Sequence, residues 1–187
     1  MSTKVLSIAS FEPQAGEKYL FDTNVLIKIF YPPISSSNNT SYIKMYEKLI
    51  AVKSTLLISS IHISEFINTC IRFQFNLYRG SHDDIKTFKS DYRNTDDYKE
   101  CMEAILEIVN NDILSVFQKT NDNFQSMDSS NLFLYGFSYD FNDALISELS
   151  RLENCILVTD DSDYINFSNN LTIVTNNKSL LMFSSRK

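Results

Sequence analysis

Four acidic side chains stand where a predicted strand ends or a predicted helix begins, and carboxylates in such positions can share a metal ion. Asp22 follows a predicted strand at residues 19–21, Glu65 lies near the start of a long predicted helix, and Asp143 opens another. Asp161 or a neighbouring acid follows a further predicted strand. Because the carboxyl ends of parallel strands meet at one edge of a sheet, we expect these carboxylates to converge.

Converging carboxylates repel one another and raise each other's pKa unless a cation lies among them. Mg²⁺ or Mn²⁺ suits such a set, because hard divalent cations take oxygen ligands and retain water. Two such ions, about 3.5–4 Å apart, can activate a water and stabilise a leaving oxygen, which is the apparatus for hydrolysing phosphodiesters. The pattern therefore predicts a metal-dependent nuclease that needs no histidine as a base.

Each acid also has a structural explanation when it is considered alone. An acidic residue in the first turn of a helix complements the helix dipole and contributes about 0.3–1 kcal/mol at an exposed site. Asp140 is a candidate N-cap with Asp143 behind it, and Glu65 fits the same first-turn role. One alternative is therefore a catalytically silent interaction module in a protein complex, and another is a DNA or flap nuclease of related fold.

Other chemistries of α/β proteins lack their residues in this chain. Gly16, Gly80 and Gly136 are the three glycines, so there is no Gly-x-Gly-x-x-Gly loop for a dinucleotide and no Walker loop. An aspartyl-phosphate phosphatase requires a second Asp two residues after Asp22, where the chain has Asn24. The run that begins at Asp161 lacks the Gly and the Glu that an EF-hand requires.

Alternating strands and helices are expected to position the acids. Apolar runs predict strands at residues 19–21, 56–59, 155–158 and 171–174, with residues 5–8 as a candidate edge segment. Helical spacing predicts helices that follow Asp22 or span residues 41–53, 60–79 and 137–152. This alternation favours a doubly wound α/β fold with a parallel sheet.

Two of the predicted helices carry a stripe of apolar side chains that should face the core. In the helix at residues 41–53, the stripe comprises Tyr42, Met45, Tyr46, Leu49 and Ile50. In the helix that carries Asp143, it comprises Phe141, Leu145, Leu149 and Leu152.

Length and composition indicate a single domain. A chain of 187 residues with 43% hydrophobic residues can bury one substantial core. Residues 81–131 are interpreted as an insertion that contains one long helix or two shorter ones, followed by an Asn/Asp/Ser-rich loop at residues 120–131. Such long loops are commonly functional or disordered.

Charge and cysteine content indicate a soluble cytoplasmic protein. The net charge of -6 lacks the basic footprint of a tight nucleic-acid binder, although acids that hold a metal add to that negative count. Apolar runs are too short for a membrane span, and residues 1–10 lack a signal-peptide pattern. Cys70, Cys101 and Cys155 are expected to be buried free thiols.

Four segments resemble the acidic motifs of the PIN-domain family, in that family's usual order. They are YLFDTNVLI at residues 19–27, ISEF at 63–66, NDALI at 142–146 and LVTDDSDY at 157–164. The resemblance spans about residues 18–176. It implies a three-layer α/β/α sandwich with a central parallel sheet, Mg²⁺- or Mn²⁺-dependent endoribonuclease activity and frequent homodimers. Many members are VapC-like toxins, which implies RNA as substrate and an antitoxin protein as partner.

The resemblance also implies roles for individual residues. Its metal ligands and catalytic acids correspond to Asp22, Glu65, Asp143 and Asp161, with Asp163 at the position of a fifth acid that some members use. Asn24 and Thr159 correspond to polar residues that orient the site. The family pattern places the fourth ligand two residues after the threonine, yet the choice between Asp160 and Asp161 stays open because Asp160 replaces a residue that is usually basic or polar.

Four basic residues on predicted helices are candidates for contacts with RNA phosphates. They are Arg72, Arg79, Lys44 and Lys48. Lys44 and Lys48 lie one turn apart on the polar side of their helix, where an ordinary solvated face is the simpler explanation. His62 is interpreted as structural rather than catalytic.

Overall fold

The computed structural model describes residues 3–34, 39–133, 140–166 and 170–184. Six strands in this part of the chain form one sheet, and every neighbouring pair runs parallel. The strands are β1 (Lys4–Ser7), β2 (Lys18–Phe21), β3 (Thr55–Ile58), β4 (Gln118–Lys119), β5 (Ile156–Val158) and β6 (Thr172–Thr175). Their spatial order is β1-β6-β5-β2-β3-β4.

Seven α-helices within the described residues cover the sheet. They are α1 (Thr23–Phe30), α2 (Thr40–Ala51), α3 (Ser60–Arg79), α4 (Asp96–Glu107), α5 (Ser129–Phe133), α6 (Phe141–Leu152) and α7 (Lys178–Ser184). Helices α1 to α4 pack in one hydrophobic cluster, while α5 to α7 pack in another. The predicted three-layer α/β/α sandwich with a central parallel sheet is confirmed.

The strands separate the two clusters because successive side chains of a strand point to opposite faces of the sheet. In β2, Tyr19 and Phe21 join the cluster of α1 to α4, whereas Leu20 joins the cluster of α5 to α7. Leu157 of β5 lies on the same side as Leu20, and Val158 lies opposite. Apolar residues on both faces explain why the strands appear in the sequence as continuous hydrophobic runs.

The strand order reverses direction at β2. From β2 the chain proceeds to β3 and β4 on one side, and it then returns to place β5 and β6 on the other side. The ends of β2 and β5 therefore flank a topological switch point, where open α/β sheets commonly bind ligands. Asp22 follows β2 and Thr159 follows β5, so both residues lie at this point.

Two of the predicted apolar stripes are partly wrong. In α2, Tyr42, Met45 and Leu49 are buried, but Ile50 is 42% exposed near the end of the helix. In α6, Phe141 is 42% exposed and stacks on the exposed ring of Phe133, with ring centroids 5.7 Å apart. The buried face of α6 instead comprises Ala144, Ile146, Ser147, Glu148, Leu149 and Ser150. The predicted start of this helix at residues 137–139 lies outside the described residues, and α6 begins at Phe141.

The segment at residues 81–131 contains more regular structure than its sequence suggested. Helix α4 continues into a π-helical stretch, Ile108–Ile113, and the two-residue strand β4 then adds an edge to the sheet beside β3. Phe117, just before β4, is 3% exposed and packs edge-on against Phe21. Within the described part of the chain, no helix has the length and apolar character of a membrane span.

His62 is structural, as predicted, and the prediction of buried free thiols holds for two of the three cysteines. His62 is fully buried, and its Nδ1 lies 2.9 Å from the Ser59 hydroxyl, which completes a capping box at the start of α3. Burial lowers the pKa of His62 to about 4, so the ring is neutral near pH 7. All three cysteines are free: Cys70 and Cys155 are buried, whereas Cys101 is only half-buried.

Candidate functional site

Asp22 is a buried carboxylate that does not serve as a helix cap. It occupies the N-cap position of α1, but its side chain makes no capping hydrogen bond. Instead, its Oδ2 accepts a hydrogen bond of 2.6 Å from the Thr159 hydroxyl, across the switch point. The side chain is only 4% exposed. The capping explanation therefore does not account for this acid.

The Thr159 hydroxyl connects the end of β2 to the turn that follows β5. Besides donating to Asp22, its oxygen accepts a hydrogen bond of 2.9 Å from the Asp161 backbone N–H. Thr159 is completely buried. One hydroxyl therefore fixes the positions of two acidic residues relative to each other.

Glu65 and Asp143 reach the same region from the two helical layers. The Thr23 hydroxyl donates a hydrogen bond of 2.9 Å to Oε2 of Glu65, and Thr23 directly follows Asp22. The Tyr164 hydroxyl donates a longer bond of 3.4 Å to Oδ1 of Asp143. Polar groups adjoining the switch point therefore contact both acids.

The pKa shifts of Asp22 and Asp143 indicate that the four carboxylates lie within electrostatic range of one another. Burial is the largest cause that raises the pKa of Asp22 to about 7; the Thr159 hydrogen bond opposes this shift, and the charges of Glu65 and Asp161 add to it. Burial also raises the pKa of Asp143 to about 8, reinforced by Asp22, Asp161, Asp140 and Glu65. The structure thus brings together Asp22, Glu65, Asp143 and Asp161.

The donor set suits a hard divalent cation, because all four groups are carboxylates and their mutual repulsion is relieved by positive charge. The structural observation behind this fit is the burial of the Asp22 carboxylate, which is 4% exposed and contacts the Thr159 hydroxyl rather than a basic side chain. Among the described residues, however, no three Asp, Glu, His or Cys side chains form a ready-made metal-binding group. The charges of the neighbouring acids raise the pKa of Asp22 and Asp143, but the four side chains do not surround one common metal position.

Asp160 points away from this acidic group. Its carboxylate forms an ion pair with Lys28 and accepts a hydrogen bond of 2.6 Å from the Tyr42 hydroxyl. Its backbone N–H donates to Oδ1 of Asn24 at 3.3 Å, and its carbonyl oxygen accepts from Asn177 at 2.6 Å. Of the two alternatives left open by the sequence, Asp161 is therefore the one that lies among the other acids.

Two further predicted site residues have distinct positions. Asn24 contacts the turn after β5 through the Asp160 backbone, as an orienting residue would. Asp163 is exposed on a short 3₁₀ helix, and its backbone N–H, rather than its carboxylate, contacts Asp161. The role of Asp163 as a fifth ligand stays a prediction without a supporting contact.

Arg72 lines an open cleft of about 530 Å³ along α3, which also contains one of the four acids. Glu65 and Asn142 line the same cleft, together with the amide side chains of Asn68 and Asn76. The Arg72 guanidinium lies 4.2 Å from the centre of the Phe88 ring, so the segment at residues 81–131 contacts this side chain. The cleft therefore joins a cation and several amide groups to one of the four acids.

The other three basic candidates do not line this cleft. Arg79 stands two turns further along α3, where its guanidinium lies 5.2 Å from the centre of the Phe75 ring. Lys44 and Lys48 line a separate cleft of about 220 Å³. Lys48 is also paired with Glu12 at 3.0 Å.

Sequence reasoning did not single out Thr23, Tyr164, Lys28 or Tyr42. Thr23 lies next to Asp22, and Tyr164 lies close to Asp161, both within the quoted motifs. Their positions alone could have suggested them as candidate site residues. Tyr164 is buried, and its pKa is raised by burial and then by the charges of the four acids. Lys28 and Tyr42 gave no sequence signal because their partner lies more than 100 residues away.

Comparison with known families agrees with the resemblance noted in the sequence. The family model described as PIN domain matches residues 19–170, which includes all four acidic motifs. A search of curated proteins found no match to the chain. The predicted family is therefore confirmed by the family model.

Solved structures of similar fold cover most of the chain. VapBC2 from Rickettsia felis, determined with a DNA fragment from its promoter, has a TM-score of 0.54 and 21% identity, covering 84% of this chain and 98% of that one. FitAcB from Neisseria gonorrhoeae has a TM-score of 0.52 and 15% identity, covering 83% and 96%. FitAB bound to the IR36 DNA fragment has a TM-score of 0.50 and 16% identity, covering 84% and 94%.

Proposed function

The chain belongs to the PIN-domain family, and from this premise we propose that it is a Mg²⁺- or Mn²⁺-dependent endoribonuclease. The observation that carries the proposal is the convergence of Asp22, Glu65, Asp143 and Asp161 at the switch point, with the pKa of Asp22 raised to about 7. Acids that served only helix starts would have no reason to meet. The alternative of a silent interaction module is therefore less well supported.

Residues of the chain hold the acids ready for divalent ions. The Thr159 hydroxyl bonds Oδ2 of Asp22, which leaves Oδ1 of that carboxylate free of this contact. Thr23 and Tyr164 similarly hold Glu65 and Asp143. Ions bound between these acids would supply a water nucleophile at neutral pH and charge stabilisation at the leaving oxygen. Since the acids do not form a ready-made coordination shell, the proposal requires their side chains to move together on binding.

The cleft along α3 is the proposed path of the RNA strand. Its Arg72 offers a guanidinium that can bond a phosphate in bidentate geometry, and Glu65 lines the same cleft. Asn68, Asn76 and Asn142 offer amide groups that can donate to and accept from bases or sugars. The overall charge of -6 argues for this local positive site rather than a broad basic surface.

We further propose that the protein is the toxin of a toxin–antitoxin pair, with an antitoxin protein as partner and a homodimer as its own assembly. The support is the family and the shared fold of VapBC2 and FitAcB over more than four-fifths of the chain. Co-expression with the product of a neighbouring small open reading frame tests the partner. Light scattering of the purified protein tests the dimer.

Cleavage of a short single-stranded RNA in Mn²⁺ or Mg²⁺ tests the activity. We expect cleavage by the wild type, loss in EDTA and loss in Asp22→Asn, whose circular dichroism should remain that of a folded protein. The exposed acid Asp163 supplies a matched substitution, Asp163→Asn, which tests whether this fifth acid contributes. Undiminished cleavage by Asp22→Asn would refute the proposed site. Preferential cleavage of DNA would favour the alternative of a DNA nuclease.

A further inference from the structure

A polar cluster lies directly behind the acidic group, on the side of α1 and α2. The Asp160 carboxylate contacts the Lys28 ammonium of α1 and the Tyr42 hydroxyl of α2. Lys28 also lies 5.3 Å from the centre of the Tyr42 ring, which is a cation–π distance. The Tyr42 hydroxyl further accepts a hydrogen bond of 3.0 Å from the Asn176 backbone N–H, after β6. We call the side chains of Lys28 and Tyr42 the clamp.

Asp160, in the turn that follows β5, is contacted at its backbone N–H, at its carbonyl oxygen and at its side chain. Asn24 accepts from the backbone N–H of Asp160, Asn177 donates to its carbonyl oxygen, and the clamp holds its side chain. Every polar group of Asp160 therefore has a partner outside the turn. Its neighbours in the chain are Thr159 and Asp161, the two residues that contact each other beside Asp22.

The charge of Asp160 is also compensated locally. Lys28 and Asp160 are each about one-quarter exposed, so the ion pair is largely shielded from solvent. Without Lys28, an uncompensated carboxylate would stand next to Asp161 and could turn toward the acidic group. A buried ion pair that loses one partner leaves the other charge unsatisfied, which is strongly unfavourable.

We propose that Lys28 and Tyr42 are positioning residues that hold Asp160 away from the acidic group and thereby aim Asp161 at Asp22. The clamp selects which of two adjacent acids faces the ions. This inference rests on the proposed function for its consequence in metal binding, but the orientation of the turn is a property of the metal-free protein.

Amide hydrogen exchange of the metal-free protein tests the orientation directly. The Asp161 N–H donates to the Thr159 hydroxyl, so its exchange rate reports whether the turn keeps its geometry. In Lys28→Met we expect exchange at Asp161 to be faster by about tenfold or more, since a hydrogen-bonded charge is left unpaired. Tyr42→Phe should accelerate it less. The Leu20 and Ile173 amides, in central strands, report global unfolding and should change little.

A Mn²⁺ titration by calorimetry tests the consequence. Lys28→Met should weaken Mn²⁺ binding by about tenfold, and Lys28→Arg, which retains the ion pair, should restore most of the affinity. Lys18→Met is the matched control, because it breaks an ion pair of 3.3 Å with Glu153 at the opposite end of β2. That control should leave Mn²⁺ affinity and Asp161 exchange unchanged.

The outcomes separate this inference from the proposed function. An unchanged exchange rate of the Asp161 amide in Lys28→Met and Tyr42→Phe would overturn the proposed role of the clamp, regardless of the measured Mn²⁺ affinity. A lower melting temperature with unchanged Mn²⁺ affinity would also overturn it, because that is the signature of a purely structural ion pair. Failure of the wild type to bind Mn²⁺ would contradict the proposed function, while the exchange rates would still decide whether the clamp aims Asp161.

Discussion

Replacing Asp22 by Asn should stabilise the metal-free protein at neutral pH, although it should abolish metal binding. The amide retains the shape of the carboxyl group and can still accept the 2.6 Å hydrogen bond from Thr159. It cannot ionise, so the cost of a buried charge beside Glu65 and Asp161 disappears. A residue that only stabilised the fold would give the opposite sign.

The magnitude follows from the pKa of Asp22. Burial is the main cause that raises it from 3.8 to about 7, and the side chain is only 4% exposed. The folded state therefore holds this proton more tightly than the unfolded state does. The stability from Asp22 is complete below about pH 4 and is lost as the pH rises through about 7, which amounts to about 4 kcal/mol. Asp22→Asn keeps that stability at every pH.

Urea unfolding in EDTA, followed by circular dichroism, measures the difference. At about pH 8 the variant should be more stable than the wild type by up to 4 kcal/mol or so, and at about pH 4 the two should nearly coincide. His62 is common to both proteins and cancels in the difference, whereas Asp143 adds to it in the same direction because the charge of Asp22 raises its pKa. Asp163→Asn, at an exposed acid, should change stability by less than about 0.5 kcal/mol. A pH-independent difference, or a less stable Asp22→Asn at about pH 8, would refute the electrostatic reasoning.

Three further predictions concern the core, His62 and the cleft. Leu157→Ala, at a fully buried position, should cost about 2–5 kcal/mol in urea unfolding, whereas Leu77→Ala, at a position 56% exposed, should cost little. Burial lowers the pKa of His62 to about 4, so the free energy of unfolding of Asp22→Asn should fall by about 3 kcal/mol as the pH falls from 6.5 toward 4. When His62→Gln is added to Asp22→Asn, this decrease should be smaller. Arg72→Ala should raise KM for a short RNA with little change in kcat, while Arg79→Ala, outside the cleft, should leave both unchanged; equal effects of the two substitutions would contradict the proposed RNA path.

The sequence was most informative where local rules and the fold agree. The run from Tyr19 to Phe21 is buried on both faces of the sheet, and the helix begins immediately after Asp22. The alternation of strands and helices predicted a parallel sheet, in which the carboxyl ends of the strands lie at one edge. For this reason the fold could be predicted, together with the sheet edge to which Asp22 belongs.

Features that depend on distant contacts could not be predicted. The Asp160 carboxylate turns toward Lys28 and Tyr42, whose positions relative to the turn are set only by the folded layers. Strand β4 has two exposed polar residues and pairs with β3, so it has no hydrophobic signature of its own. Phe141 lies on the apolar stripe predicted from the sequence, but in α6 the side chains of Ile146 and Leu149 are buried and the Phe141 ring is exposed.

Thermal unfolding of the wild type and of Asp22→Asn, in EDTA and then in millimolar Mn²⁺, tests the central claim most directly. Binding to the folded state alone raises its stability by about 2.7 kcal/mol when the free ion is at a hundredfold excess over Kd. We predict a clear rise in the melting temperature of the wild type that is absent from Asp22→Asn. No rise at any Mn²⁺ or Mg²⁺ concentration, or an equal rise in both proteins, would contradict the claim that the four acids at the switch point form a metal site.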